Sequence, residues 1–380
     1  MNAPSVSRPI DVVVAGYLGV DLTPGFRPAP RALPVSDLFR PGRLIEMEGL
    51  EISLGGVVAN TGLALRRFGQ RVELMGCVGN DDLGDLAVAR LKPAGVSGGI
   101  RRNSRARTAC GIVLAPPGRD RLFLEDPGCN RDFTSNDIDF EVVGRSRIFH
   151  FGYPPLMDEM WKNGGAELRK LLERVKERRT MTSLDMSLPD PQSPAGKADW
   201  PAILANVLPF VDLFTPSMEE LLFMLEPALF TRLASEAPGD DMMAAAPADL
   251  GKRLADQILA MGARALLIKA GSRGAYLRTG NPEALQDGGP FPHSDLGGCP
   301  EGVWIPPRPF EARRFRNACG AGDCAVAGFL AALLKGENLE TSARFAMIAG
   351  RDNLYGSDAV SGLRDWTQMA DEIRKTKNQP

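Results

Sequence analysis

The residues Asn317-Ala318-Cys319-Gly320-Ala321-Gly322-Asp323-Cys324 lead directly into an apolar run, DCAVAGFLAALLK, at residues 323–335. Two glycines separated by one residue allow a tight turn whose N–H groups point to one spot. A helix beginning at this turn would add the positive end of its dipole, so the segment predicts a site for an anion such as a phosphoryl group. Asp323 would lie in the first helical turn, where the helix end favours its ionised form, ready to accept a proton from a hydroxyl.

Two other interpretations fit this segment when it is taken alone. In the first, Asp323 only caps the helix after a glycine-rich loop. In the second, residues 320–325 match the G-x-G-x-x-G/A pattern of dinucleotide-binding folds, which requires a preceding strand and an acidic residue at a later strand end. The preceding residues 311–316, EARRFR, make a poor buried strand, and Glu340 follows near a helical segment. The anion site is therefore favoured over the dinucleotide site.

Upstream of this segment, short apolar strands alternate with helical patterns. Strands are predicted at residues 11–16, 72–78, 147–152, 181–185, 211–214 and 265–269. Helices are predicted at residues 61–68, 83–91, 166–178 and 247–261. This alternation predicts an α/β fold with a doubly wound, mainly parallel sheet and helices on both faces. In such sheets, ligands bind at the carboxyl ends of the strands.

Two stretches do not fit the alternation. Residues 17–54 contain several prolines and no clear helix. Residues 108–125 contain two strand patterns joined by Pro116-Pro117-Gly118-Arg119-Asp120, which indicates a hairpin. Together they predict a small β lid over the site. Residues 226–246 and 280–300 are rich in Ala, Pro and Gly and are predicted to be surface insertions.

The amino-acid composition argues against several classes of function. Lys plus Arg number 45 and Asp plus Glu number 47, and this balance argues against a general nucleic-acid surface. No stretch approaches the ~18 consecutive apolar residues of a membrane span, and the N-terminus lacks the apolar stretch of a signal peptide. We therefore expect a cytoplasmic protein with no membrane partner. The six cysteines form no CxxC pair and the only histidines are His150 and His293, which argues against a zinc site and against histidine-based nucleophilic catalysis.

A second glycine motif, Gly55-Gly56-Val57-Val58-Ala59-Asn60, precedes the first predicted helix. Paired glycines allow close approach of a polyhydroxylated ligand, and the Asn60 amide can both donate to and accept from hydroxyls. Taken alone, a plain strand-to-helix turn explains the same residues. The sequence contains neither a Walker A loop nor protein-kinase signatures.

Taken in order along the chain, these motifs resemble those of the ribokinase-like (PfkB) family of carbohydrate kinases. The matching residues are Asp21 after the first strand, Gly55, Gly56 and Asn60, Gly79-Asn80-Asp81 with Gly84, Gly128-Cys129-Asn130, Ser217-Met218-Glu219-Glu220, Lys269 to Gly274, and Gly320 to Asp323. The resemblance covers nearly the whole chain. It implies a single ribokinase-like α/β domain over residues 1–380, with residues 17–54 and 108–125 as the β lid.

The resemblance also implies a function: ATP- and Mg²⁺-dependent transfer of a phosphoryl group to a hydroxyl of a sugar or sugar-like substrate. Asp323 would be the general base, and the N–H groups of Gly320, Ala321 and Gly322 would stabilise the transferring phosphoryl group. Substrate hydroxyls would be held by Asp21, Gly55, Gly56, Asn60 and Asn130. The nucleotide would be bound by Ser217, Lys269, Gly271 and Gly274, with Glu220 helping to place Mg²⁺ through water. In this family the lid often makes a dimer interface, which implies a homodimer.

Two positions depart from the family pattern. Ser217 replaces the usual asparagine of N-x-x-E, and because serine reaches less far, an altered phosphate and metal network is expected. Asn317 replaces an aspartate that belongs to a monovalent-cation site in many members, which leaves K⁺ activation open because Asn317 can still offer a carbonyl oxygen. Residues 345–359 are expected to form part of the adenine wall and the cation loop.

Two alternative functions stay open at this point. A nucleoside kinase is the near alternative, because the same family contains such enzymes. A non-catalytic sugar- or nucleotide-sensing protein on the kinase fold is the alternative from a different class. The two departures favour a sensor, whereas the retained Asp323 and the two glycines before it, Gly320 and Gly322, argue against it.

Overall fold

In the part of the chain that the structure describes, nine strands form one large sheet. The computed structural model describes residues 8–27, 40–42, 44–116, 122–236, 241–280 and 296–377. In chain order the strands are β1 (Ile10–Gly16), β2 (Gly19–Pro24), β3 (Leu50–Gly55), β4 (Val72–Gly79), β5 (Ile100–Asn103), β6 (Ala109–Leu114), β7 (Leu122–Asp126), β8 (Ser146–Gly152), β9 (Met181–Asp185), β10 (Leu213–Phe214), β11 (Ala265–Lys269), β12 (Ala275–Thr279) and β13 (Val303–Ile305). The helices are α1 (Val57–Arg67), α2 (Asp82–Leu91), α3 (Phe140–Gly144), α4 (Asp158–Glu177), α5 (Trp200–Val207), α6 (Met218–Leu225), α7 (Pro227–Glu236), α8 (Leu250–Ala260), α9 (Ala321–Leu334), α10 (Leu339–Asn353) and α11 (Trp366–Lys377).

The order of strands across the large sheet is β13-β12-β11-β10-β9-β8-β1-β4-β5. Neighbouring strands from β11 to β5 are parallel, and only β12 and β13 join it antiparallel. The chain order reverses beside β1, which pairs with β4 on one side and β8 on the other. Such a reversal opens a crevice at the carboxyl ends of the strands. The predicted α/β class is confirmed.

The apolar runs of the sequence form the core. All seven residues of β1 are buried, as expected for a β-branched run inside a parallel sheet. Every residue of α9 from Asp323 onward is buried, because this helix packs against both α1 and α10. A helix that is apolar all round is an interior helix, and α9 is held between two other helices. Among the described residues, no helix is both long and apolar enough to cross a membrane.

A second sheet lies outside the first and has the strand order β3-β2-β6-β7. Its central pair, β2 and β6, is parallel, and both outer pairs are antiparallel. Its strands come from the two segments that break the alternation, so the predicted small β-sheet is confirmed. Residues 28–39 and the hairpin tip 117–121 lie outside the described residues.

Residues 226–246, which are predicted to be a surface insertion, contain helix α7. Pro227 starts the helix at a position where its missing N–H costs nothing. Leu233 is buried, and the Phe230 ring packs edge-on against Phe223 at 5.4 Å. Most of the other predicted insertion, residues 281–295, lies outside the described residues.

Candidate active site

Asp323 lies in the first turn of α9 and is 3% exposed. Gly320, directly before the helix, has a φ of 75°, a left-handed conformation that favours glycine. A Cβ on Gly320 would lie 2.8 Å from the Cβ of Ala359, so a side chain would clash there. The N–H groups of Gly322 and Asp323 are among the first of α9, which a helix cannot satisfy by itself. The N–H of Ala321 donates to the carbonyl oxygen of Ala318 at 3.2 Å.

Three side chains donate hydrogen bonds to the Asp323 carboxylate. Asn60 Nδ2 and the Tyr153 hydroxyl donate to Oδ2 at 3.0 and 2.7 Å, and the Thr61 hydroxyl donates to Oδ1 at 3.2 Å. Burial raises the pKa of Asp323 above its ordinary value, while these hydrogen bonds and the charge of Lys269 act in the opposite direction. The result is an oriented carboxylate whose pKa lies closer to neutrality than that of an exposed aspartate, as a general base requires.

Lys269, at the end of β11, places a buried cation beside the glycine turn. Its Nζ donates to Asp185 Oδ1 at 2.6 Å and to the Thr215 carbonyl oxygen at 2.5 Å. A Cβ on Gly322 would lie 3.9 Å from the same Nζ. Burial acts to lower the pKa of Lys269, but the neighbouring carboxylates, chiefly Asp185, raise it above its ordinary value. The ammonium therefore stays charged next to the predicted anion site.

Ser217 and Glu220 form a capping box at the start of α6. The Ser217 hydroxyl accepts from the Glu220 N–H at 3.1 Å, and Glu220 Oε2 accepts from the Ser217 N–H at 2.6 Å. The adjacent Pro216 carbonyl accepts from the Lys269 N–H at 2.9 Å, which joins this helix start to the end of β11. The structure therefore brings Ser217, Glu220 and Lys269 together, with the two side chains of the box already bonded to backbone.

Gly271 and Gly274 form the turn between β11 and β12, with φ values of 51° and 89°. A Cβ on Gly274 would lie 2.1 Å from the Ile305 carbonyl oxygen, so strand β13 requires glycine there. A Cβ on Gly271 would meet no atom within 4 Å. Gly274 is thus explained by packing, whereas Gly271 borders open space.

In the small sheet, Asp21 lies between two glycines. A Cβ on Gly55 would lie 2.5 Å from Asp21 Oδ2, and a Cβ on Gly111 would lie 2.9 Å from Asp21 Oδ1. Burial raises the pKa of Asp21 to about 7, and the charges of Glu125 and Asp323 contribute to the shift. The two sheets therefore bring the acid of the lid within electrostatic reach of the acid at the helix start.

The second glycine of the pair has a different role. Gly56 has a φ of 85°, and a Cβ there would lie 2.5 Å from the Tyr17 carbonyl oxygen. The turn carries the chain into α1, which begins at Val57 rather than at residue 61 as predicted. The next turn of this helix presents Asn60 and Thr61 to the carboxylate of Asp323.

Asn130 is fully buried and its amide is committed to the backbone. Its Nδ2 donates to the carbonyl oxygens of Leu18 and Pro127 at 3.0 and 3.1 Å, and its Oδ1 accepts from the Leu18 N–H at 3.3 Å. These bonds tie the end of the lid to the turn between β1 and β2. The Asn130 amide is therefore occupied by backbone groups, and its role as a substrate contact stays a prediction.

The Gly79-Asn80-Asp81 motif anchors the other end of the lid. Asp81 caps α2 by accepting from the Gly84 N–H at 2.9 Å, and it accepts from the N–H and hydroxyl of Thr108 at 2.8 and 2.6 Å. The Gly79 N–H donates to the same Thr108 hydroxyl at 2.8 Å. Since Thr108 immediately precedes β6, the motif fixes where the lid leaves the large sheet.

Two asparagine amides join the loop before α9 to the loop after α10. Asn317 Nδ2 donates to the Ser357 carbonyl oxygen at 2.6 Å. Asn353 Nδ2 donates to the carbonyl oxygens of Cys319 and Ala359, both at 3.0 Å. The carbonyl oxygens of Cys319, Ser357 and Ala359 therefore each accept a hydrogen bond from an uncharged amide.

Several site residues were not predicted from the sequence. Tyr153 follows the end of β8, a position where ligand-contacting residues are expected, and its place in the fold could have identified it. Thr61 adjoins the predicted Asn60. Glu125 and Tyr17 carried no local signal, because their proximity depends on how the lid strands pair; the Tyr17 hydroxyl donates to Glu125 Oε1.

The carboxylates near Lys269 fit a Mg²⁺ ion that is held mainly by water and by the phosphates of a nucleotide. Among the described residues, no group of three or more His, Cys, Asp or Glu side chains forms a metal cage. Asp185 and Glu220 lie near one another, since the charge of Glu220 acts to raise the pKa of Asp185. Mg²⁺ typically keeps several waters and takes one or two carboxylates together with substrate phosphates, and these residues suit that mode.

Comparison with known sequences gives one family match and several related enzymes. The family described as "pfkB family carbohydrate kinase" matches residues 31–351. "Probable fructokinase-4" of Arabidopsis thaliana is 30% identical over 184 residues, which is 48% of this chain and 55% of that protein. "Fructokinase-1" of Zea mays is 32% identical over 137 residues, 35% of this chain and 42% of that protein. The chain spans about half the length of the curated relatives it matches.

Solved structures with the same fold cover almost the whole chain. Ribokinase of Arabidopsis thaliana complexed with ribose and ATP has a TM-score of 0.69 at 17% identity, covering 96% of this chain and 99% of that one. Fructokinase of Xylella fastidiosa with bound ATP has a TM-score of 0.69 at 19% identity, covering 97% and 99%. At these identities the likeness concerns the fold alone.

Proposed function

The chain belongs to the pfkB family of carbohydrate kinases, and on that premise we propose that it transfers a phosphoryl group from ATP to a hydroxyl of a sugar or sugar-like substrate. One observation carries the proposal: a buried carboxylate, Asp323, is oriented by Asn60, Thr61 and Tyr153 at the start of an interior helix. A buried cation, Lys269, lies beside the same turn. A base and an anion site adjoin there, as phosphoryl transfer requires.

Asp323 would act as the general base toward the substrate hydroxyl. A carboxylate offers roughly four lone-pair sites, and Asp323 uses three of them in its hydrogen bonds. The remaining site is on Oδ1, which accepts only the Thr61 hydroxyl among the described donors. The substrate proton would therefore pass to Oδ1 as the substrate oxygen bonds to the transferring phosphorus and the bond to the ADP oxygen breaks.

The N–H groups at the start of α9 would stabilise the transferring group. Gly320, Ala321 and Gly322 form the turn at the start of the helix. The positive end of the α9 dipole lies at the same place and would also attract the phosphoryl group. Lys269 would supply a fixed positive charge, and such preorganised charges favour the transition state. Gly271, Gly274 and Ser217 would border the nucleotide.

Mg²⁺ would be placed near Glu220, through water, with the nucleotide phosphates as its other ligands. When bound, the ion supplies neutralisation of the developing phosphate charge. The Ser217 departure supports the water-mediated mode, because the short serine hydroxyl stays in the capping box with Glu220.

The lid would hold the substrate. Asp21 would accept hydrogen bonds from substrate hydroxyls, while Gly55 leaves room for the Asp21 carboxylate and Gly56 allows the chain to pass close to Tyr17. Asn60 would contact both the substrate and the base, and Asn130 would act from behind by positioning Leu18.

We also propose that two copies of the chain pair through their lids. Leu50, Leu122 and Leu124 are 47%, 41% and 52% exposed on the strands of the small sheet. Apolar residues exposed together on one sheet are typical of an interface. The cytoplasmic location of the protein stays a prediction.

The test of the function is ATP consumption with Mg²⁺ across sugars, polyols, sugar phosphates and nucleosides. The control is Asp323→Asn, which removes the charge of the base and keeps its shape. Turnover in this variant should fall by roughly 10²–10⁴ while nucleotide binding is kept.

Three outcomes are distinct. Turnover on a sugar that is lost in Asp323→Asn supports the proposal. Turnover on a nucleoside alone keeps the mechanism and changes the substrate. ATP binding without turnover on any compound favours a sensor, and near-normal turnover of Asp323→Asn contradicts the assignment of the base.

A further inference from the structure

The lid carries two carboxylates that face one another across a glycine. Asp21 pairs with Gly111 between β2 and β6, and Gly111 pairs with Glu125 between β6 and β7, so the three form one row across the sheet. Directly paired residues project to the same face. A Cβ on Gly111 would lie 2.6 Å from Glu125 Oε2 and 2.9 Å from Asp21 Oδ1. The two oxygens are thus separated by no more than the sum of these distances.

The charge of this pair is not balanced by the described part of the protein. Within the described ranges, neither carboxylate is ion-paired with a lysine or arginine. The charged groups that act on the two carboxylates are themselves acidic: Glu125 and Asp323 act on Asp21, and Asp126 acts on Glu125. The Tyr17 hydroxyl donates to Glu125 Oε1, which supplies a hydrogen bond and no charge.

The row belongs to the substrate cleft and is open to a ligand. Glu125 is exposed on β7, and the charge of Asp323 acts on Asp21, so the row extends from solvent toward the base. The glycines at 55 and 111 leave room for the two carboxylates, because a Cβ at either position would lie within 2.6 Å of a carboxylate oxygen. The two acids are therefore placed to contact the part of a substrate that lies away from the transferred phosphoryl group.

Three kinds of substrate group would meet this row differently. An ammonium group has three N–H donors and a charge that both carboxylates can share. A hydroxyl can donate one hydrogen bond and leaves the negative charge of the pair uncompensated. A carboxylate or phosphate would be repelled by both acids.

We propose that Glu125, together with Asp21, is a specificity-determining residue that selects amine-bearing sugars or polyols and rejects those that carry a carboxylate or phosphate. This inference rests on the proposed function, since it concerns the substrate cleft of the same site.

The test uses two sets of compounds that differ in charge at one carbon. The first is 1-amino-1-deoxy-D-glucitol, D-glucitol and D-gluconate; the second is 1-amino-1-deoxy-D-fructose, D-fructose and D-fructose 1-phosphate. Affinity is measured by calorimetry and ATP turnover in parallel, for the natural protein, for Glu125→Gln and for Asp126→Asn. Gln can still accept from Tyr17, and Asp126→Asn removes the same charge one residue along the strand.

In at least one set, the amine should bind roughly tenfold more tightly than its neutral counterpart, and the acid should bind most weakly. Glu125→Gln should reduce the amine-to-acid ratio by roughly tenfold, and Asp126→Asn should leave it nearly unchanged. An acid that binds best, amines that bind no better than neutral compounds in both sets, or a ratio unchanged in Glu125→Gln would overturn the inference.

The two proposals fail separately. Turnover of D-fructose or D-glucitol that is lost in Asp323→Asn, with no preference for the amine, keeps the kinase function and overturns the inference. Binding of the amine that depends on Glu125, without ATP turnover on these six compounds or on any compound of the wider panel, supports the inference and contradicts the kinase function.

Discussion

Tyr153→Phe removes one hydrogen bond from the proposed base, Asp323, and keeps the aromatic ring in place. The Tyr153 hydroxyl donates to Asp323 Oδ2 at 2.7 Å, and the ring packs near that of Tyr17 with centroids 6.2 Å apart. Burial holds the pKa of Tyr153 well above its ordinary value, so the hydroxyl stays a donor over the whole working range. Phenylalanine keeps the ring and its packing. The change therefore isolates the effect of the donor on the ionised carboxylate.

The expected size of the effect follows from the strength of that bond. A hydrogen bond to a charged group contributes about 1.5–3 kcal/mol, and one pKa unit corresponds to about 1.4 kcal/mol. The bond stabilises the ionised form of Asp323, so its loss raises the pKa of this carboxyl by about one to two units. Activity requires the ionised base and is lost as the pH falls through its pKa. The acidic limb of the kcat/KM profile should thus move to higher pH by about one to two units.

The assay is kcat/KM against pH for any sugar that the natural protein phosphorylates. Below the shifted limb, Tyr153→Phe should lose roughly tenfold or more, and above it the rate should approach that of the natural protein. Tyr17→Phe is the matched control, because its hydroxyl donates to Glu125 instead, and it should leave the limb in place. An unmoved limb in Tyr153→Phe, or an equal loss of rate at every pH, would refute the role given to this hydrogen bond.

Three further predictions concern the same site. Exchanging K⁺ for Na⁺ should leave the rate nearly unchanged, because the Asn317 amide donates to the Ser357 carbonyl oxygen. Several-fold activation of the natural protein by K⁺ would contradict this prediction. Asn317→Asp should introduce activation by K⁺. Gly55→Ala should raise the substrate KM roughly tenfold, because the new Cβ would lie 2.5 Å from Asp21 Oδ2 and would displace that carboxylate. Gly98→Ala, where a Cβ meets nothing within 4 Å, is its control, and equal KM values in both variants refute the reasoning. Lys269→Met should lower the free energy of unfolding by about 3–5 kcal/mol in denaturant titrations, because it leaves Asp185 buried without its partner. The added change Asp185→Asn should recover much of the loss, and no recovery would argue against the ion pair as the cause.

The family and the fold class could be predicted because their signals are local. Strand β1, helix α9 and the glycine turn before it each depend on residues close together in the chain. Apolar periodicity and glycine spacing report such elements directly. The family prediction is confirmed by the match over residues 31–351. The assigned roles of the individual site residues stay predictions.

The composition of the site was less accessible, because most of it depends on pairing between distant strands. Glu125 meets Asp21 only through the register of β2, β6 and β7, and a shift of one residue would turn Glu125 to the other face. No property of residues 122–126 taken alone reveals that register. For Asn130 the motif was visible in the sequence and the contacts were not. The motif predicts a substrate contact, whereas in the fold the Asn130 amide donates to backbone carbonyl oxygens.

The two sheets are coupled electrostatically through their acids. The charge of Asp323 raises the pKa of Asp21, and the interaction is mutual, so an uncharged or compensated Asp21 favours the ionised form of Asp323. A substrate whose donors or positive charge compensate Asp21 would therefore also prepare the base for proton transfer. On the proposed function, an empty cleft would leave both acids competing for ionisation, which would hold the proposed base in a less reactive state. Substrate recognition by the lid and proton acceptance at α9 would in this way be two parts of one equilibrium, which would favour transfer to substrate over transfer to water.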